Sequence, residues 1–120
     1  MSAPALTAPS PVRGNAYAVS AASSVGAGES VLGASWTQLS AKSIPCSFLI
    51  LSAPTAAHPK AGANSAAVLY LIGKTIPTSA AGAAVIATTN TGFILPVDDP
   101  SLVWLLGTAS DAVEWQALQG

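Results

Sequence analysis

The stretch "GFILPVDDPSLVWLLGTASDAVEWQAL", residues 92–118, decides the fold of this chain. It is rich in Trp, Leu, Ile and Val, and Pro and Gly interrupt it at short intervals. In its last segment, "AVEWQAL", alternate positions hold Val113, Trp115 and Ala117, which is the pattern of a strand with one buried face. A helix capped by the preceding Ser or Asp is the alternative. The stretch therefore predicts strands joined by turns, and the segment "DDPS" suits a β-turn.

The rest of the chain repeats this pattern of short apolar runs bounded by Pro and Gly. No segment keeps a 3.6-residue period over three turns, and runs rich in β-branched and aromatic residues favour strands buried on both faces. Gly26, Gly28 and Gly33 predict tight turns around two of the strands. About eight strands spaced by roughly 8–12 residues predict an all-β sandwich or barrel. The runs are "AYAVSA", "SVL", "SWTQL", "CSFLILSA", "AAVLYLIG", "AAVIATT", "GFILPV", "LVWLLG" and "AVEWQAL".

The scarcity of charge is the most informative feature of the composition. Of the 120 residues, 51% are apolar and only 8% are charged, against about 25% charged in an average soluble domain. The surface must consist largely of Ala, Ser, Thr and Gly, as in a subunit that is partly buried in an assembly. A neutral, Ala-rich monomeric domain is the alternative. The length fits one domain.

The charge pattern and the hydropathy bear on possible partners. A net charge of −1 argues against nucleic-acid binding, which needs clustered bases to neutralise phosphates. No apolar run approaches the ~20 residues that cross a bilayer, and the N-terminus has no basic and apolar secretory pattern. We therefore expect no nucleic acid and no membrane as partners, and synthesis in the cytoplasm. The four bases are scattered, at Arg13, Lys42, Lys60 and Lys74.

Catalytic chemistry has little support in these residues. The single histidine, His58, precedes a proline in a long polar loop, so no triad can be assembled around it. Cys46 begins an apolar run and is interpreted as a small core residue. Asp98 and Asp99 could supply two oxygens to Ca²⁺, but a turn explains them as well. We expect no enzyme, metal or cofactor. The tryptophans, expected in the core or on a sugar-stacking platform, are Trp36, Trp104 and Trp115.

The N-terminal residues 1–14 predict an extended arm. Pro4, Pro9 and Pro11 exclude a helix interior or a central strand, because proline fixes φ and lacks an N–H donor. A disordered tail is the alternative. The sequence thus predicts an arm over 1–14 and a β-sandwich domain over 15–120. We expect the arm to contact a neighbouring subunit, with the candidate interface residues Pro4, Pro9, Pro11, Arg13 and Tyr17.

The order of the strand motifs over residues 30–118 resembles small virion proteins of tailed bacteriophages. The runs "SWTQLSAKSIPCSFLILSAP", "NSAAVLYLIGKT", "AAGAAVIATTNTGFILPVDD" and "SLVWLLGTASDAVEWQAL" carry the resemblance. A long loop over 53–66 and the proline-bearing arm depart from that pattern. The resemblance implies a single antiparallel β-sandwich of jelly-roll type, as in head decoration (cement) proteins and fibre modules. The matching motifs are Trp36–Leu39, Tyr70–Gly73, Gly92–Asp99, Val103–Gly107 and Val113–Trp115.

The same resemblance implies a function in the virion. It predicts a non-enzymatic structural protein on the capsid surface that binds the major capsid protein, and other copies of itself as a homotrimer, and stabilises the shell. The alternative is a tail or head fibre module that recognises a host-surface glycan.

Overall fold

The computed structural model describes residues 23–54, 63–89 and 92–120. These residues form eight strands and a one-turn 3₁₀ helix, Pro100–Leu102, so the all-β prediction is confirmed. In this part of the chain, no helix is long and apolar enough to span a membrane. The strands are β1 (Ser23–Val31), β2 (Thr37–Gln38), β3 (Phe48–Ser52), β4 (Val68–Ile72), β5 (Ala84–Ile86), β6 (Phe93–Leu95), β7 (Val103–Leu106) and β8 (Ala112–Gln119).

The strands form two four-stranded sheets in which every pairing is antiparallel. Sheet A has the order β1-β8-β3-β6, and sheet B has the order β2-β7-β4-β5. The C-terminal segment is strand β8, as predicted, and it lies between β1 and β3. The stretch that decided the fold therefore supplies β6 and β8 to sheet A and β7 to sheet B.

Buried side chains from both sheets belong to one apolar cluster. In β3, Leu49 and Leu51 are fully buried and alternate with partly exposed neighbours. In β7, Val103 and Leu105 do the same. An aromatic contact joins the two sheets, because the ring centroids of Tyr70 in β4 and Phe93 in β6 lie 6.1 Å apart. The cluster also contains Leu32, Leu39, Cys46, Ala53, Val68, Ile86, Leu95, Val97, Val113 and Ala117.

The prediction that the apolar runs are buried on both faces is wrong. In β4, Val68 is fully buried but Leu69, Tyr70 and Leu71 are only partly buried, and Ile72 is exposed. A strand alternates its side chains between the two faces of its sheet. The continuous apolar run in β4 therefore supplies one face to the core and leaves an apolar set on the other.

The glycines near the start of the described chain lie in a strand rather than in turns. Gly26 and Gly28 are both within β1, opposite Ala117 and Trp115 of β8. A Cβ atom on Gly28 would lie 3.2 Å from the indole ring of Trp115, which is closer than carbon atoms ordinarily pack. Gly28 therefore leaves the space that the Trp115 ring fills, whereas a Cβ atom on Gly26 would lie 2.9 Å from the side chain of Ile44. A register shift between Ser24 and Gly26 marks a bulge in the same strand.

Several predictions from the sequence fall outside the described residues. These are the extended arm over 1–14, the strand "AYAVSA", the boundary between 14 and 15, and most of the long loop before Ser65.

Candidate interaction surface

The outward side of strands β4, β5 and β7 in sheet B is apolar. The edge strand β2 adds the polar Gln38 opposite Trp104, and none of the four strands contains a charged residue. In β7, Trp104 and Leu106 alternate with the buried Val103 and Leu105, so they project away from the core. The outer faces of antiparallel sheets usually carry polar side chains, which keep one side of the sheet solvated. We call this set of outward residues the outer face of sheet B: Leu69, Leu71, Val85, Trp104 and Leu106.

The strand register brings these five side chains together. Leu69 lies between Val85 of β5 and Leu106 of β7 in one row across the sheet. In the next row, Leu71 lies opposite Trp104. Directly opposite residues in antiparallel strands have Cβ atoms about 4.5–5.5 Å apart, which allows side-chain contact. The five residues thus form one continuous apolar surface, with Val85 the most exposed at 55%.

The three tryptophans do not all pack in the core as predicted. Trp115 packs against the apolar cluster, but Trp104 lies on the outer face of sheet B and is partly exposed. Its indole Nε1 donates a hydrogen bond of 3.0 Å to the carbonyl oxygen of Gly73, which orients the ring. Trp36 is partly buried and lies one residue before β2. The core prediction therefore holds for Trp115 and is wrong for Trp104.

The outward side of sheet A differs because it carries charge. Glu29 of β1 and Glu114 of β8 lie directly opposite each other in the register. Gly28, the residue before Glu29, lies against the Trp115 ring on the inner side of sheet A. Because successive side chains in a strand point to opposite sides, Glu29 and the directly opposite Glu114 lie on the side away from the core. The two sheets therefore present chemically different outer faces, one acidic and one apolar and uncharged.

Asp99 caps the 3₁₀ helix, which agrees with the interpretation of "DDPS" as a turning segment. Its carboxylate accepts hydrogen bonds from the backbone N–H of Ser101 at 2.9 Å, the N–H of Ile44 at 3.2 Å and the hydroxyl of Ser43. Partial burial raises the pKa of this carboxyl, but the hydrogen bonds outweigh burial and hold its pKa below the ordinary value. The neighbouring Asp98 is exposed. Across residues 23–54, 63–89 and 92–120, no three His, Cys, Asp or Glu side chains form a group that could hold a metal ion.

Asp111 fixes the chain segment that precedes β4. Its buried carboxylate accepts hydrogen bonds from the N–H of Ser65 at 3.0 Å, from the Ser65 hydroxyl and from the N–H of Ala66. These bonds tether the exposed residues Ser65 and Ala66 to the residue that precedes β8. Asp111 therefore has a structural role.

Cys46 is a buried residue of the apolar cluster, as the sequence predicts. Its Sγ lies 3.4 Å from the carbonyl oxygen of Val97. Burial raises the pKa of this thiol, and the negative charges of Asp99 and Asp98 raise it further. A thiol in this environment is a poor nucleophile because little thiolate forms.

The interface residues proposed from the sequence, Pro4, Pro9, Pro11, Arg13 and Tyr17, lie outside the described residues, and so does His58. The surface that sequence reasoning missed is the outer face of sheet B. Its signal is present in the strings "VLYLI" and "VWLL", in which both sets of alternate positions are apolar. Such strings predict a second apolar surface only once the strand register is known.

Comparison with known proteins gives no assignment. No protein-family model matches this chain, and no curated protein or solved structure matches it either.

Proposed function

We propose that the protein is a non-enzymatic structural subunit of a phage virion that binds the outer surface of the capsid and stabilises the shell. The support from the sequence is the resemblance over residues 30–118 and the low content of charged residues, 8% of the chain. A subunit that binds only the assembled shell stabilises it by mass action. Many copies make the total effect large even when each contact is weak.

The observation that carries the proposal is the strand order, which supports a β-sandwich of jelly-roll type. The sheets contain the pairs β1·β8, β2·β7, β3·β6 and β4·β5. These are the pairs of one long hairpin of eight strands, folded so that its first and third pairs join in one sheet and its second and fourth in the other. Double-sheet jelly rolls of eight strands occur in viral capsid proteins and in lectins.

We assign the capsid contact to the N-terminal arm. An extended segment can add to a sheet edge of a partner and gain affinity from backbone hydrogen bonds. Arg13 and Tyr17 supply the side chains most often found at interface hot spots. The proposed partners are the major capsid protein and other copies of this chain in a homotrimer.

Electron cryo-microscopy of particles from the phage that encodes this chain tests the location. Density for the two sheets on the outer surface of the head supports the proposal. Density along a tail or fibre moves the assignment to host recognition, and absence from the particle overturns both.

Co-sedimentation of the purified full chain with expanded heads tests the arm. We expect Arg13→Ala and Tyr17→Ala each to weaken binding by at least about tenfold, as a loss of about 1.4 kcal/mol or more at an interface hot spot does. Lys42→Ala is the matched control, since Lys42 is an exposed base of the described domain. Equal binding by all three variants and the unchanged protein would contradict an arm-mediated contact.

The position of Trp104 favours a second candidate, a fibre module that recognises a host-surface glycan. The indole ring is partly exposed and its orientation is fixed by the bond to Gly73, and aromatic faces of this kind stack on sugars. Titration with host glycans should then quench tryptophan fluorescence in the unchanged protein and not in Trp104→Ala. Absence of quenching by any host glycan would contradict this candidate.

A further inference from the structure

On the outer face of sheet B, Val85 is exposed and the other four apolar side chains are partly exposed, at positions where antiparallel sheets usually present polar residues to solvent. Its five members, Leu69, Leu71, Val85, Trp104 and Leu106, are contiguous across three strands. Contiguous apolar surface of this kind usually marks a contact with another segment or molecule. What can cover it depends on its size and on its lack of charge.

The face is too small to hold two folded copies together. The strands of sheet B are two to five residues long, and at about 4.8 Å between strands and about 3.4 Å per residue they cover roughly 250 Å². A stable, specific interface buries about 800 Å² on each partner. The three strands that carry the face span about 14 Å, which an extended segment crosses with roughly five residues at about 3.1 Å each. The face therefore matches the footprint of one extended segment.

The chain itself supplies such a segment. Residues 1–22 precede β1, and Arg13 is the only charged side chain among them. Their prolines, Pro4, Pro9 and Pro11, favour an extended polyproline conformation, and segments of that kind dock on aromatic-lined apolar surfaces. Leu6 and Tyr17 provide larger side chains for burial. The strands of the face carry no charge, and Arg13 is the single side chain of the segment that must keep its charged end in solvent when the segment docks.

The covalent connection makes this segment the favoured occupant. Residues 1–22 end next to Ser23, the first residue of the edge strand β1 of sheet A. Fully extended, they reach about 70 Å, whereas sheets that share a core lie only about 10 Å apart. A tether of this length gives the N-terminal segment an effective concentration in the millimolar range at the outer face of sheet B. Docking within one chain therefore outcompetes binding of the same segment from another copy in dilute solution.

We propose that the N-terminal segment, residues 1–22, of the same chain docks on the outer face of sheet B and covers Leu69, Leu71, Val85, Trp104 and Leu106. The proposal concerns the isolated protein and does not rest on the capsid function. A segment held in this way loses less conformational entropy when it later meets a partner.

Limited proteolysis of the full chain tests the proposal, because trypsin cleaves after Arg13 only when that residue is accessible. The variant Val85→Asp places a charge on the face at the middle of the three-residue edge strand β5. Its matched control is Ile94→Asp, at the middle of the three-residue edge strand β6 of sheet A. The two side chains are equally exposed, at 55% and 52%, so neither variant should unfold the domain.

We expect slow cleavage after Arg13 in the unchanged protein and in Ile94→Asp, and cleavage at least about tenfold faster in Val85→Asp. Cleavage of an opened state follows its population, and tenfold corresponds to about 1.4 kcal/mol of docking free energy. Equally fast cleavage in all three proteins would overturn the proposal, since the segment would then be undocked. Equally slow cleavage in all three would place the segment elsewhere and would also overturn it.

The dependence of trypsin protection on protein concentration distinguishes docking of the segment within its own chain from docking on a neighbouring copy. Protection that stays constant on dilution, in a protein that sediments as a monomer, supports docking within the chain. Protection lost on dilution would assign the segment to a neighbouring copy. A dimer that Val85→Asp dissociates without changing cleavage after Arg13 would assign the face to a second copy, and either of these results overturns the proposal.

Discussion

The side chain of Asn64 pairs with the backbone of Ala112 as a strand residue would. Its Nδ2 donates to the carbonyl oxygen of Ala112 at 2.7 Å, and its Oδ1 accepts from the N–H of Ala112 at 2.8 Å. The pairing of β3 with β8 ends at Ser52 and Glu114. If this register continued, Pro54 would lie opposite Ala112, and proline has no N–H to donate. The buried amide of Asn64 supplies the missing donor.

Replacing Asn64 by Ala should destabilise the fold strongly. The change leaves the N–H and the C=O of the buried Ala112 without these partners, at a cost of about 1–3 kcal/mol for each group. The variant Ser65→Ala is the control, because it removes a hydroxyl but keeps the backbone N–H bond to Asp111, and should cost only about 0.5–1.5 kcal/mol. Urea unfolding followed by tryptophan fluorescence measures both. Equal midpoints for the two variants would contradict the role given to Asn64.

Gly28→Ala should destabilise the protein although alanine generally suits a strand better than glycine. The added Cβ would lie 3.2 Å from the Trp115 ring, which must shift to accommodate it, and overpacking of this kind costs about 1–3 kcal/mol. Gly33→Ala is the matched control, since no atom lies within 4 Å of its added Cβ. We expect Gly33→Ala to be neutral or to stabilise by up to about 1 kcal/mol. Thermal unfolding measures the difference, and a Gly28 variant as stable as the Gly33 variant would refute the packing argument.

The contribution of Asp99 to stability should depend on pH. Its pKa in the folded protein is lower than the ordinary value, so its stabilising effect is present above about pH 4 and is lost as the pH falls through the folded pKa. At neutral pH, Asp99→Asn should cost about 1 kcal/mol, because the amide oxygen still caps the helix but its hydrogen bonds are no longer strengthened by a negative charge.

Urea unfolding of the Asp99→Asn variant at a series of pH values measures this dependence. The difference between the variant and the unchanged protein should shrink as the pH is lowered below about 4. Asp98→Asn is the control from the adjacent, exposed position and should change stability by less than about 0.5 kcal/mol. A difference that stays constant from neutral to acidic pH would rule out the charged cap.

The thiol of Cys46 should react slowly in the folded protein. It is buried in the apolar cluster, and burial together with the charges of Asp99 and Asp98 raises its pKa. Labelling by a disulfide reagent at pH 8 should therefore be at least about tenfold slower in the native protein than in denaturant, because attack requires local opening. Equal rates in the two conditions would show that Cys46 is accessible.

The sequence predicts the strands well where apolar runs are bounded by turn residues. Strands β3, β4, β7 and β8 all fall within predicted runs, because their side chains must enter the core at alternate positions. The end of β1 falls in the predicted run "SVL", but the part that contains Gly26 and Gly28 was interpreted as turns, since glycine serves both in turns and at close approaches in sheets. The residue that requires Gly28 is Trp115, which lies far along the chain and becomes its neighbour only through the register of β1 and β8.

The candidate surface was missed for a related reason. In "VWLL" and "VLYLI" both sets of alternate positions are apolar, so the pattern does not distinguish the buried face from the outer one. Trp104 was therefore placed in the core beside Trp115. Glu114 and Gln116 mark the outer face of β8, and there the assignment of faces from the sequence is confirmed.

The lengths of the edge strands bear on how crowded copies of this protein avoid aggregation. Because the net charge is only −1, copies of the protein repel each other weakly, and charge does little to prevent their association. Among the residues that the structure describes, three of the four sheet edges, β2, β5 and β6, are only two or three residues long, and the fourth, β1, contains a bulge. Short and bulged edges offer few aligned backbone groups on which another chain could add a strand. We expect copies held side by side at high density to resist the edge-to-edge pairing that leads to amyloid.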